Sequence, residues 1–271
     1  MNSGGVKIRI TGSRICLLLL CTIVALAAVR QVSASPLESA ADSYRRYLID
    51  DINQALDGAR ALRERVAARD LGGARTAWIS ARAGWERSEV FTTGFVPALD
   101  QQIDAWPNAS QGFHGIEAKL FGASHIDVGA ETDALIGHLA DLRAQLDHID
   151  LVPQRLLNGI ARLAFEVGGN KADGGESRLS GTSLNDMRSN ADGIALAYRV
   201  IFADAVEAGD PKLAGAARAA VERLQAAVKI ADLRNLDADK LRADGEELVA
   251  LLQMAAPKIG LDKPTLEEGA R

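Results

Sequence analysis

In the stretch "QGFHGIEAKLFG" (111–122), His114 and Glu117 stand three residues apart, in a chain with 4 histidines. Residues at that spacing share a helix face. A neutral imidazole and a carboxylate would then project together, as donors suited to a borderline or hard transition metal. Phe113, Ile116 and Leu120 trace the apolar stripe of the same short helix, which sets Glu117 beside the buried face. A partly buried carboxylate needs a partner. Upstream, Glu86 and Glu89 in "GWERSEVF" repeat the spacing. Like charges so placed repel by roughly a few tenths of a kcal/mol unless a cation lies between them. Arg82 and Arg87 are the local candidates for that cation, and a metal ion is the other. Asp100 and Asp104, four apart in "LDQQIDAWP", share a face if that stretch is helical for a turn. Each pair alone reads as a solvated helix face, but their clustering between residues 86 and 117 makes a metal constellation the better account.

The elements that must position these residues are helical. Apolar residues recur at Tyr44, Leu48, Ile52, Ala55, Ala59, Leu62 and Val66 in steps of three and four, one buried stripe on a long helix. "DLGG" breaks it, and a second helix is predicted from about Ala74 to Phe91 with Trp78 and Trp85 inward. The stretch 92–111, with two prolines and glycine or asparagine turn signals, is predicted as an irregular loop with room for one short turn of helix. Helices are predicted over 112–121 and 132–148, and after Pro153 over 154–168, 183–207, 211–231 and 238–256. Scarce β-branched runs and aromatics argue against a sheet. The expected class is all-α: two antiparallel helical bundles, 35–152 and 153–271, packed together and linked near Pro153.

Lys7, Arg9 and Arg14 precede the apolar run "ICLLLLCTIVALAAV", and Val32 and Ala34 suit a small-residue cleavage rule. Residues 1–34 therefore read as a signal peptide cut after Ala34. The run falls short of the roughly 20 residues of a membrane-spanning helix, so no stable membrane insertion is expected after processing. Cys16 and Cys21 would leave with the leader, removing any disulfide or thiolate ligand. The leader carries Lys7, Arg9, Arg14 and Arg30 and no acid, so the mature net charge is −5 − 4 = −9. Such a chain offers nothing to nucleic acid or anionic lipid.

The residues "WERSEVF…LDQQID…GFHGIEAKLFG", followed by "GGNKADGGESRLSGTSLNDMRSNADG", resemble the core of the imelysin-like (HxxE-containing) family, in its periplasmic iron-uptake EfeO/EfeM branch. The resemblance spans essentially all of the mature chain and is nearest the short EfeM-like form without a cupredoxin domain. It implies an all-helical fold of two antiparallel four-helix bundles packed together with a metal site in a cleft, formed by Glu86, Glu89, Asp104, His114 and Glu117 and closed by Glu176 from the downstream loop. It further implies a monomeric periplasmic protein that captures iron, as Fe2+ or Fe3+, and hands it to an inner-membrane permease. The loop departs from the family pattern in reading "RLSGTSL" where an aromatic and a histidine are expected.

The same carboxylate and imidazole donors would also accept zinc, copper or manganese. A metal-dependent peptidase is an alternative, but the H-x-x-E-H arrangement needs a second histidine where Ala118 stands. A di-iron oxidase needs Glu-x-x-His pairs, absent from this sequence. Capture of a metal-bridged anionic solute and a purely structural helical protein complete the set. The expectation is a binding protein and not an enzyme.

Overall fold

Ser35 starts the first helix. Its hydroxyl accepts from the Glu38 N–H at 3.2 Å and the Glu38 carboxylate accepts from the Ser35 N–H at 2.6 Å, a reciprocal capping box. The computed structural model describes residues 1, 35–105, 110–169, 171–172 and 174–266. Apart from Met1, the expected leader lies outside the described residues. Helix α1 (Pro36–Ala67) buries Tyr44, Leu48, Ile52, Ala55, Ala59, Leu62 and Val66, the stripe read from the sequence. Asp70 then caps α2 (Leu71–Phe95) by accepting from the Gly73 N–H at 2.8 Å. So short a connection folds α2 back along α1.

The first part of the expected irregular loop, 92–103, is corrected by the structure, while the described residues between 104 and 111 are non-helical as expected. α2 runs on through Phe95, and a further helix, α3 (Pro97–Ile103), follows almost at once. Pro97 occupies the opening of α3, where a missing N–H costs nothing because no intrahelical acceptor exists there. The proline that reads as a breaker is a starter. Next come α4 (Gly112–Glu117), a π-helical turn (Ala118–Gly122), α5 (Gly129–Leu146) and α6 (Pro153–Gly168). After a long connection stand α7 (Ser183–Ala197), a second π turn (Tyr198–Phe202), α8 (Ala203–Gly209), α9 (Pro211–Ala227) and α10 (Ala238–Ala255). All regular elements among the described residues are helical, the class expected.

α1 packs on α2 and α5, while α6, α7, α9 and α10 pack in a ring, each against the next. α2 belongs to both sets, since it also lies against α6 and α7. Residues from Ser35 onward thus form one compact unit, with Pro153 as the first residue of α6. Two glycines permit this sharing. A Cβ at Gly159 would lie 1.8 Å from the Val90 carbonyl oxygen, and one at Gly193 would lie 2.3 Å from that of Arg87. The backbones of α6 and α7 therefore rest directly on α2, the helix that carries the paired glutamates. Among the described residues no helix is long and apolar enough to cross a membrane.

Candidate metal centre

Helix α2 turns Trp78, Arg82, Trp85, Glu86 and Glu89 inward. The Trp78 indole donates to the Phe113 carbonyl at 3.0 Å, which ties α2 to the short helix bearing His114. Gly112, at φ +61° and within 2.5 Å (Cβ to oxygen) of the Ile103 carbonyl if it carried a side chain, makes the sharp entry into α4. The His114 N–H in turn donates to the Asp104 carbonyl at 3.3 Å. These contacts bring the end of α3, the start of α4 and the middle of α2 together.

Five of the six residues singled out in the sequence converge. Ligand atoms of Asp104, His114 and Glu176 lie within 4.8 Å of one another, and so do those of Glu86, Glu89, Asp104 and Glu176. Donors at about 2.0–2.2 Å from one ion are spaced in that range. Glu117 stands apart from both groups. Its Oε2 lies 3.0 Å from His114 Nδ1, and its Oε1 accepts from the Ser180 N–H at 2.8 Å and hydroxyl at 2.7 Å. The carboxylate acceptor fixes the proton on Nδ1 and leaves the lone pair on Nε2, which faces Asp104 Oδ1 at 3.7 Å. Glu117 orients the imidazole from behind instead of joining the donor cluster. Asp100 lies one helical turn before Asp104, whose N–H donates to the Asp100 carbonyl at 2.9 Å, and its charge also acts on Arg162.

Two buried cations hold the carboxylates. The Arg82 guanidinium, 1% exposed, lies 2.6 Å from Glu86, 2.8 Å from Asp104, 2.9 Å from Glu176 and 3.2 Å from Asp186. The Lys171 ammonium lies 3.0 Å from Glu86, 2.9 Å from Glu89 and 3.0 Å from Glu176. Asn190 Nδ2 also donates to Glu86 Oε2 at 2.9 Å and Glu89 Oε2 at 3.0 Å. Arg87, the other cation suggested by the sequence, points away and pairs with Asp51 at 2.7 Å. Counting only the carboxylates in ion contact with Arg82 or Lys171, five acids face two bases, a formal excess of three negative charges.

That excess shows in the acidities. Burial pushes the Glu89 carboxyl well above its ordinary value, and neighbouring Glu86 pushes the same way. Burial likewise takes Glu176 up to about 7, against the pull of Lys171, and Asp186 up to about 6, against Arg82. For Glu86 and Asp104 burial also raises, but the adjacent cations win and hold both below the usual carboxylate range. Burial opposes the charge on Lys171 too, yet Glu176, Glu86 and Glu89 outweigh it and keep the ammonium strongly protonated. Within one cluster, then, Glu89, Glu176 and Asp186 hold protons more tightly than ordinary carboxyls while Glu86 and Asp104 hold them less tightly.

Sequence reasoning missed Lys171, Asp186, Asn190 and Ser180. Asp186 and Asn190, four apart on α7 and flanked by buried Met187 and Ala191, carry the shared-face signal that could have revealed them. Ser180 lies in the "RLSGTSL" departure and closes on Glu117 instead of supplying a ligand. Ser180→Ala removes one of the two hydrogen bonds to Glu117 Oε1 and keeps the backbone one. Metal affinity is expected to fall about tenfold, the low end of the range for groups that orient a ligand, with the number of ions unchanged in a calorimetric titration.

A family model described as imelysin (Peptidase_M75) matches residues 40–111 and 108–258. EfeM/EfeO family lipoproteins of Staphylococcus aureus strains USA300 and MRSA252 are each 29% identical over 192 residues, covering 65% of this chain and 66% of theirs. The chain thus spans slightly under two thirds of the length of these relatives. A crystal structure described as a candidate iron-regulated protein A precursor from Parabacteroides distasonis superposes with TM-score 0.67 at 15% identity, over 83% of this chain and 95% of that one. That likeness is one of fold.

Proposed function

We propose that this chain, which belongs to the imelysin family, is an exported binding protein for a transition-metal cation, with iron as its physiological cargo. The observation that carries the reading is the convergence of His114, Asp104, Glu176, Glu86 and Glu89 on one buried spot with an unbalanced negative charge. Carboxylate oxygens with one imidazole nitrogen suit Fe2+ or Fe3+. They also accept zinc, manganese and copper, and copper binds such donors more tightly in a mixed solution. The similarity to EfeM/EfeO family lipoproteins supports iron as cargo and a periplasmic or cell-surface location, with a membrane permease as recipient. The charge excess favours a trivalent ion, or a divalent ion together with one retained proton.

The peptidase name attached to the family model gives a second reading, which the site supports less well. A hydrolytic metal needs an open coordination position and a carboxylate base for the attacking water. Here Arg82 and Lys171 already engage Glu86, Glu89, Asp104 and Glu176, and Glu117 is taken up by His114 and Ser180, so each carboxylate near the imidazole already has a partner. Capture and release of an ion makes no such demand.

Calorimetric titration of the protein with iron, zinc and copper tests the reading. Saturable binding is expected, with His114→Ala weakened at least a hundredfold because the imidazole is the single nitrogen donor of the group. Binding of equal strength in both proteins would remove His114 from the site and overturn the reading. Affinity is expected to rise with pH. Below about 7 Glu176 holds a proton, and below about 6 so does Asp186, and an incoming cation must displace what Glu176 holds. The gain should therefore be steepest below the Glu176 value and slacken above it, where the proton on Glu89 is the one still to be displaced. A flat profile between pH 4 and 8 would exclude this donor set.

A further inference from the structure

We infer that the Lys171 ammonium is an exchangeable counter-ion: a metal ion enters the carboxylate cluster by taking its place, while Arg82 stays. The inference rests on the metal-binding reading above and adds how a cluster already held by fixed cations admits its cargo.

Every acid of the cluster touches a cation supplied by the fold. Arg82 reaches Glu86, Asp104, Glu176 and Asp186, and Lys171 reaches Glu86, Glu89 and Glu176. A metal ion therefore binds these oxygens only in exchange for one of the two. They hold on differently. Arg82 projects from α2, spreads its contacts over Nε, Nη1 and Nη2, and lies 5.8 Å from the ring centres of both Trp78 and Phe113. A planar fork of that kind has no spherical equivalent. The Lys171 ammonium is a compact point charge, with one oxygen each of Glu86, Glu89 and Glu176 around it at 2.9–3.0 Å. A metal ion on that point needs those oxygens to close in by about 1 Å, to the roughly 2.0–2.2 Å of a carboxylate ligand. Asp104 belongs to the same donor group, and Asp104 and Glu176 also belong to the group with His114, so an ion at this point adjoins the imidazole.

A neighbouring amide supports the same position. Asn190 Nδ2 donates to the two glutamate oxygens that Lys171 also touches, Glu86 Oε2 and Glu89 Oε2. Its Oδ1 is buried with no hydrogen-bond partner among the described residues. A buried acceptor left so is costly, and it is a neutral oxygen donor to spare for an arriving ion. The tether permits the exchange. Lys171 stands on the connection between α6 and α7, where its N–H donates to the Glu166 carbonyl and its carbonyl accepts from the Gly174 N–H, both at 3.1 Å. Its flexible four-carbon stem lets the ammonium withdraw with that backbone in place. Trading it for a divalent or trivalent ion lowers the negative excess of the cluster from three to two or one. A monovalent ion would leave the excess unchanged.

The test footprints the lysines of the wild-type protein with an amine-acylating ester, with and without Zn2+, and reads the products by peptide mass spectrometry. Lys171, 6% exposed, is expected to be protected in the metal-free protein and acylated in the zinc-loaded one. The open side chain of Lys240, 56% exposed, should react equally in both. Lys171→Met removes the competitor, and calorimetry should show zinc bound about a hundredfold more tightly, because the stabilisation lost with the ion partner is regained from the metal. Lys171 protected in both forms of a protein that binds zinc overturns the inference, and so does Lys171→Met binding no more tightly than wild type. If Lys171→Met does not fold without metal, the wild-type footprint decides alone. Zinc bound by neither protein, with both folded by circular dichroism, sinks the metal-centre reading itself. Failure of the exchange alone leaves wild-type binding intact, so the two results are distinct.

Discussion

Arg82→Met is expected to lower the unfolding free energy by about 3–5 kcal/mol, the range for removing one member of a buried ion network. Against a total stability of roughly 5–15 kcal/mol, that loss brings the protein near the threshold of folding at neutral pH. The reason is the number of partners. One guanidinium serves Glu86, Asp104, Glu176 and Asp186, and methionine fills the space without offering a single donor. Each of those acids would then face burial with its charge less compensated, so each would bind protons more tightly. Acid should therefore rescue the variant. Its deficit relative to wild type is expected to shrink as pH falls from 8 to 5, where protonation replaces the missing cation. Arg82→Lys should lie between the two, since an ammonium cannot form the planar fork that reaches four carboxylates. Urea denaturation at several pH values measures all of this. A pH-independent deficit would mean that Arg82 acts through packing against Trp78 and Phe113, whose rings lie 5.8 Å from its guanidinium carbon.

The second large effect is steric. Gly159→Ala is expected to cost about 3 kcal/mol, the upper end of the range for overpacking a filled interior. The added methyl would meet the Val90 carbonyl at 1.8 Å, and a backbone atom cannot rotate aside as a side chain can. α6 would have to move away from α2, carrying Arg162 with it. Arg162 donates to the Glu89 carbonyl at 2.9 Å, so metal affinity is expected to fall along with stability. Thermal unfolding and zinc titration of the same variant check both. Gly137→Ala, with nothing within 4 Å of the added Cβ, is the matched control and should be neutral or slightly stabilising.

What the sequence disclosed about this centre was the part encoded at helical spacing. Glu86 with Glu89, and His114 with Glu117, could be placed on common faces because three residues make nearly a full turn. Trp78 and Trp85 identified which face of α2 turns inward. The division of labour was beyond that logic. Glu117 has one oxygen on the imidazole and the other on Ser180, 63 positions further on. Lys171 reaches back 85 residues to Glu86. No local rule connects such positions, which come together because α6 and α7, the helices flanking the Lys171–Ser180 connection, rest on α2 through Gly159 and Gly193. The stretch over 92–103 failed for a local reason instead, since Pro97 can either break one helix or begin the next and the sequence alone weighs the first meaning more heavily.

The glycine contacts on α2 have a practical corollary for anyone wishing to transplant this centre. Copying His114, Asp104, Glu176, Glu86, Glu89, Lys171 and Arg82 onto another helical scaffold would reproduce the inventory of charges but not their spacing. Helices that pack through side chains stand about 8–10 Å apart, whereas here α6 and α7 touch the carbonyls of α2 with no Cβ between. A graft would have to begin with the two glycines and the axis separation they allow, and add the charged side chains last. Scaffolds with alanine or larger residues at those crossings would hold the acids too far apart for one ammonium to reach three of them.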